Sequence, residues 1–213
     1  MSDLWAYHRQ MWTFHNGLTT PHNYQSHPAG WLLQLRPTSF AYEKISGGCA
    51  GGNCVRNVVA LGNPALWWLA VPALVVALWA VFRCRNWRVG LILCGYLAMY
   101  VPWFAYSHRT IFTFYTVAFV PFVALVLAWA LGLATGQCRL RDDPDEEPRP
   151  GGIGGADPGW LELPRPVRSA LALSAPAVVV VVLLTSAYFY TVWTGVLIPY
   201  QEWLSRMWLH SWI

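Results

Sequence analysis

Four long, mostly apolar stretches of this chain carry no Asp, Glu, Lys or Arg: Asn57–Phe82, Val89–His108, Thr110–Cys138 and Ser169–Gln201. A membrane-spanning helix needs about 20 mostly apolar residues, and each stretch can supply them. Four such runs cannot all be buried in one core of a 213-residue chain. The expected fold is therefore all-α: a multispanning membrane protein with four transmembrane helices near residues 64–82, 89–106, 112–134 and 171–197. Composition agrees, because only 11% of the residues are charged, where soluble domains carry about 25%.

Pro72, Pro102, Pro121 and Pro176 fall inside these runs. Spanning helices tolerate proline where neighbours satisfy the freed carbonyl. Trp67, Trp68, Trp103, Tyr106, Tyr190 and Trp193 lie near the expected helix ends, as interfacial aromatic belts do.

The arginines set the expected orientation. The connection at 83–88, "RCRNWR", holds three, and the connection from about 136 to 168 holds five, against Arg109 alone in "SHRT". Positive residues in short loops mark the cytoplasmic side. The second connection, the first 63 residues and the C-terminal tail are then extracytoplasmic. Because the arginines lie between apolar runs, they read as topology signals and nucleic acid is not expected as a partner.

Four regions follow. Residues 1–63 form an extracytoplasmic amphipathic or loop segment, and 64–135 hold three transmembrane helices. Residues 136–168, acidic and rich in Pro and Gly, form a disordered cytoplasmic linker. Residues 169–213 hold the fourth helix and an extracytoplasmic tail. The start, "MSDLWAYHRQ", lacks the charged and apolar regions of a signal peptide, so an N-terminal segment placed outside looks truncated. Cys49 and Cys54, in "GGCAGGNC", lie on the side where disulfides persist. A disulfide is the expected pairing and free thiols the alternative; a zinc site would need two more ligands, and none is suitably spaced.

The polar, aromatic segment 21–37, "PHNYQSHPAGWLLQLRP", is unlike a linker. Its run His22-x-Tyr24-x-Ser26-x-Pro28-x-x-Trp31 is followed by Arg36–Pro37, by "LGNP" and "WW" within Leu61–Trp68, by "HRTIFTFY" at His108–Tyr115, and by the ending "PYQEWLSRMWLHSWI". In these features the chain resembles the C-terminal membrane region of bacterial, actinobacterial-type protein O-mannosyltransferases. The resemblance covers nearly everything except 136–168. It implies a GT-C-like C-terminal portion and an enzyme that moves mannose from polyprenyl-phosphate-mannose to Ser or Thr of exported proteins at the cell membrane. It implies no cofactor and no metal. It also implies an Asp-Glu pair in a loop after the family's first helix, and this chain contains no such loop. The expected role is therefore the C-terminal part of a glycosyltransferase, inactive without an N-terminal half that a separate chain could supply; a non-enzymatic scaffold or a remnant is the alternative. A transporter is disfavoured, because transporters place ionisable residues at the bilayer midplane and the charges here lie at helix ends.

The expected substrate-binding residues are His22, Tyr24, Ser26, Trp31, Arg36, Arg109 and Tyr115, with no catalytic residue. From position alone Arg109 is either a snorkelling side chain or a phosphate ligand, for which its planar fork suits it; the family motif favours the second. His15, His22 and His27 read as hydrogen-bonding members of an aromatic lid, with a metal cluster as the alternative. Glu43, beside Lys44, is a weak candidate for a base.

The arginine asymmetry makes a direct prediction. Single labelled cysteines at Gly152 and Ser205 should react from opposite sides of the membrane; reaction of both from one side would refute the topology.

Overall fold

Three helices in the computed structural model of the chain are long and apolar enough to cross a bilayer: Pro64–Cys84, Trp87–Ala105 and Leu173–Thr194. The structure describes residues 2–49, 52–135, 137–138, 140 and 165–213. They divide into a loop unit (Met1–Leu61, Met99–Thr116 and Thr191–Ile213) and a helix unit (Gly62–Ala98 and Val117–Tyr190). In chain order the elements are α1 (Ser2–Asn16), β1 (Thr38–Cys49), β2 (Gly52–Ala60), α2 (Pro64–Cys84), α3 (Trp87–Tyr100), α4 (Pro102–Ala105), α5 (Val120–Ala134), α6 (Arg165–Thr194), β3 (Ile198–Pro199) and α7 (Tyr200–Ser205). The fold is mostly helical with one small sheet, which corrects the all-α expectation.

In the helix unit, α2 packs on α5. A buried stripe of small residues on α2, Ala70, Ala73, Ala77 and Ala80, lets a neighbouring backbone approach closely, which is how helices associate where lipid is as apolar as leucine. Gly95 on α3 does the same against α5, since a Cβ there would stand 2.3 Å from the Phe122 ring. Phe119, fully buried, receives the Trp67 and Tyr96 rings edge-on at 6.0 and 5.5 Å.

Two asparagines hold the helix starts. Asn63 Oδ1 accepts from Leu66 N–H at 3.0 Å, and its amide donates to Val182 O at 2.9 Å and Ser186 Oγ at 2.8 Å on α6. One side chain therefore caps α2 and ties it to α6. Asn86, 2% exposed, caps α3 through Val89 N–H at 3.0 Å.

The third expected helix, 112–134, differs. Thr113–Ala118 is a 3₁₀ helix, and α5 has 15 residues, about 22 Å at 1.5 Å per residue, short of the roughly 30 Å hydrocarbon core. The cause is local. Pro121 sits in the first turn of α5, where its missing N–H costs nothing, and Pro102 opens α4 in the same way. The linker expected at 136–168 lies largely outside the described residues, although Arg165–Arg168 form the first turn of α6. α6 stops at Gly195, whose φ of +71° and following Val196 N–H to Thr191 O bond of 3.0 Å make a glycine C-cap.

The loop unit contains the sheet, in the antiparallel order β1-β2-β3. Thr38, Phe40, Tyr42 and Ile45 of β1 and Val55, Val58 and Val59 of β2 are residue types that favour strands. Glu43 faces Arg56 across the ladder. A bulge between Ser39 and Ala41 is bridged by the buried Asn57, whose amide donates to Ala41 O at 2.7 Å and Ser39 Oγ at 2.8 Å while its Oδ1 accepts from Trp203 Nε1 at 3.3 Å. Cys49 and Cys54 are joined in a disulfide with their Cα atoms 5.7 Å apart.

Asn63→Ala should lower stability by about 1–3 kcal/mol, combining a lost cap with lost interhelical bonds. Asn63→Asp, which keeps the cap acceptor and loses both donors, should fall between it and the parent. Unfolding in mixed micelles titrated with denaturing detergent measures both; an Asn63→Ala chain as stable as the parent would refute the double role.

Candidate functional site

Beyond α4 the loop unit turns sharply at Tyr106–Arg109, with Arg109 N–H on Tyr106 O at 3.2 Å. Two segments close on this turn: the C-terminal end of α1 and the loop 21–37.

From α1, the Trp12 ring meets Tyr106 edge-on at 5.9 Å. Arg109 Nη1 donates to His15 O at 2.7 Å, and the guanidinium lies over the Trp103 ring at 5.8 Å. Between them is a cleft of about 190 Å³ lined by Trp12, His15, Asn16, Trp103, Tyr106 and Arg109. Arg109 Nε–H and Asn16 Oδ1 are shielded from solvent and have no partner. A charged donor left unpaired out of water is costly, and an anionic oxygen is the partner that a guanidinium fork takes best. The cleft thus has a cation at its base and aromatic walls. Trp12 and Asn16 were not singled out from the sequence, and Trp103 and Tyr106 were read there as interfacial belt residues; the signal for the first two was the i, i+3, i+4 spacing that puts Trp12, His15 and Asn16 on one face of α1.

The other expected residues lie in the second segment, apart from Tyr115 in the 3₁₀ helix Thr113–Ala118. Trp31 is fully buried, and its Nε1 donates to Ser26 Oγ at 2.8 Å. Ser26 Oγ in turn shares a hydrogen bond with Thr113 Oγ1 at 2.9 Å. Trp31 packs against Trp103 at 5.6 Å, and Trp103 stacks on Tyr115 at 4.4 Å. The Tyr100 hydroxyl donates to Pro28 O at 2.7 Å. Trp31, Ser26 and Tyr115 therefore stand behind Trp103, the wall of the cleft, and position it. His22 and Tyr24 lie further out: His22 is exposed, meets Phe112 edge-on at 5.2 Å and accepts from Tyr24 N–H at 3.1 Å.

Arg36 does not line the cleft. Its Nε and Nη2 donate to Asn23 O at 3.1 and 3.0 Å, and its Nη1 to the main-chain oxygens of Ser211 and Ile213 at 2.5 and 3.0 Å. The guanidinium also covers the Tyr24 ring at 5.3 Å. Four of its five N–H donors join the loop to the C-terminal segment, so it acts as a structural clamp.

The histidines are dispersed. His15 borders the cleft, His22 lies on Phe112, and His27 caps the 3₁₀ turn Pro28–Gly30 through Ala29 N–H at 3.2 Å. Among the described residues no three ligand-type side chains gather. Glu43 pairs with Arg56 at 3.6 Å rather than with Lys44, whose ammonium lies over Tyr200 at 5.3 Å. Glu202 lies 3.7 Å from Arg206. Burial first, and then the neighbouring Tyr200, push the Tyr42 hydroxyl above its ordinary range, so it is protonated at neutral pH. None of these groups lines the cleft.

Residues 1–212 match the family model of the C-terminal four-transmembrane region of protein-O-mannosyltransferase. The chain belongs to this family. It is 34% identical over 191 residues to the polyprenol-phosphate-mannose–protein mannosyltransferase of Mycobacterium tuberculosis and 32% identical to that of Mycolicibacterium smegmatis. Each match covers 89% of this chain and 32% of the relative, so the chain spans about a third of their length. The Saccharomyces cerevisiae protein O-mannosyltransferase Pmt1-Pmt2 complex, solved with the sugar donor bound, matches with a TM-score of 0.65 over 97% of this chain and 26% of the yeast one. At 19% identity that likeness supports the fold.

The Arg36 clamp gives a test within this mannosyltransferase region. Arg36→Lys should cost about 2–4 kcal/mol, since an ammonium cannot reproduce a fork bonded to three main-chain oxygens. A thermal melt of the purified chain that did not shift would leave the clamp without support.

Proposed function

We propose that this chain is the C-terminal part of a membrane glycosyltransferase that moves mannose from a polyprenyl-phosphate-mannose donor to Ser or Thr of exported proteins. Membership of the mannosyltransferase family supports the reaction class. The observation that carries the role of this part is the Arg109 cleft, with a guanidinium whose Nε–H has no partner and aromatic walls, at the end of a span-length helix.

In the proposed arrangement the donor's phosphate meets Arg109, and the polyprenyl chain runs along the apolar flank of the spans. The acceptor hydroxyl oxygen forms a bond to C1 of mannose as the C1–O bond to phosphate breaks, with inversion at C1. The phosphate keeps the bonding electron pair, and Arg109 offsets the charge that grows there. The hydroxyl proton must pass to a base. The described carboxylates, Asp3, Glu43 and Glu202, lie outside the cleft, and two of them are ion-paired. The base is therefore assigned to a region of the longer enzymes that this chain does not span. His22 and Tyr24, exposed and half-buried, are placed on the acceptor side.

The topology proposed with this reading has four crossings, with the Thr113–Ala118 turn and α5 together making the third. The loop unit and cleft face the outside of the cell membrane, and residues 136–168 link the last two crossings in the cytoplasm. A second polypeptide is the proposed partner, in keeping with the two-chain yeast complex.

In nanodiscs, Arg109→Ala should bind polyprenyl-phosphate-mannose about 10- to 150-fold more weakly than the parent chain, the worth of one charge-assisted contact. The parent chain with donor and a Ser/Thr-rich peptide should yield no glycopeptide. Unchanged donor affinity would overturn the role of Arg109, and measurable glycopeptide would overturn the placement of the base.

A further inference from the structure

The helix α1 buries none of its residues. Leu4, Tyr7, Met11 and Phe14 follow one another at spacings of three and four, and Trp5 and Trp12 form a second stripe on the same half of the helix, with His8 and His15 between the two. All six are exposed, Trp5 by 74% and Phe14 by 63%. Ser2, Arg9, Gln10 and Thr13 occupy the opposite side. Such a helix has a broad apolar face that the described residues leave largely uncovered.

The contacts at the end of α1 identify what covers that face. The span Trp87–Ala105 ends at Ala105, so Tyr106–Arg109 stand at the level where hydrocarbon gives way to headgroups. That same turn holds α1: Trp12 lies on Tyr106 and Arg109 Nη1 on His15 O. Just beyond, Thr110 N–H donates to Leu18 O at 2.9 Å and Thr110 Oγ1 to Thr20 O at 2.5 Å. The C-terminal end of α1 is thus fixed to the turn that follows the span. In the same unit Met99, Val101 and Phe104 are exposed apolar residues of the span, so the bilayer already borders this part of the molecule. Trp and Tyr, apolar at one end and polar at the other, favour that boundary.

We infer that α1 is an interfacial helix, lying in the plane of the membrane surface with Leu4, Trp5, Tyr7, Met11, Trp12 and Phe14 in the lipid. At 15 residues it covers about 22 Å of bilayer surface. Its charged residues are Asp3 and Arg9 alone, so insertion rests on apolar burial rather than on attraction to anionic lipid. One wall of the Arg109 cleft, Trp12 with His15 and Asn16, is therefore set by the depth of α1 in the membrane. The inference does not rest on the donor reading, because it follows from the apolar face and the anchoring turn whatever the cleft binds.

Spin labels on a genetically encoded keto amino acid, placed singly at each position from Leu4 to Met11, test this in nanodiscs holding one chain each. Oxygen, which concentrates in lipid, should collide several-fold more often than a water-soluble nickel chelate with labels at 4, 5, 7 and 11. The ratio should invert at 9 and 10. The pattern should be the same in phosphatidylcholine and after phosphatidylglycerol is added. Equal access of the nickel reagent to all eight positions would overturn the inference, as α1 would lie in water. Shielding of 4, 5, 7 and 11 from both reagents would also overturn it, because that is the signature of a protein surface. Donor affinity, measured on the same samples, reports on the cleft separately.

Discussion

The Trp31 indole is the contact on which the loop unit depends. It is wholly buried, and a buried N–H must find an acceptor. Ser26 Oγ meets that need and passes the bond on to Thr113, whose own hydroxyl also lies 2.5 Å from Arg36 O. Segments almost ninety residues apart in the chain are thereby held to one geometry. Trp103 is stacked between this network and the cleft, so the aromatic wall beneath Arg109 inherits its position from residues that touch nothing in the cleft.

Arg36 and Arg109 carry the same guanidinium and do different work, and the supply of acceptors decides which. Around Arg36 the main chain offers three oxygens within reach, and four of its five N–H donors are taken. Around Arg109 it offers His15 O, and the Nε–H is left without a partner in a shielded place. Folded proteins rarely leave a charged donor in that condition except where something else is meant to bind.

The helix unit solves a different problem. Apolar helices in lipid gain little from hiding apolar surface, so close packing and a few polar contacts must hold them together. The alanine stripe of α2 and Gly95 provide close approach. Asn63 provides a polar contact that reaches α6. Both devices are carried by small or amide side chains whose work is invisible until the neighbouring helix is in place.

Much of this protein is legible in its residues alone. The absence of charge over four long runs dictates membrane helices, since no 213-residue core could bury them all, and the ordered motifs from His22 to Tyr115 indicate the family. The run 112–134 misled in its geometry, because hydrophobicity says that a segment can enter lipid and not which backbone conformation it adopts. Pro121 and the hydrogen bonds of Thr113 decide that. The sheet was missed because its strand residues, 38–60, end inside a charge-free run that reads as helix. Arg36 and Arg109 are alike as letters, and both sit beside aromatic motifs. Only the tertiary structure separates them: it brings Ser211 and Ile213 to the first and leaves the second facing a cleft. Composition and periodicity report what a residue can do, and the number of acceptors that distant segments bring within 3 Å settles what it does.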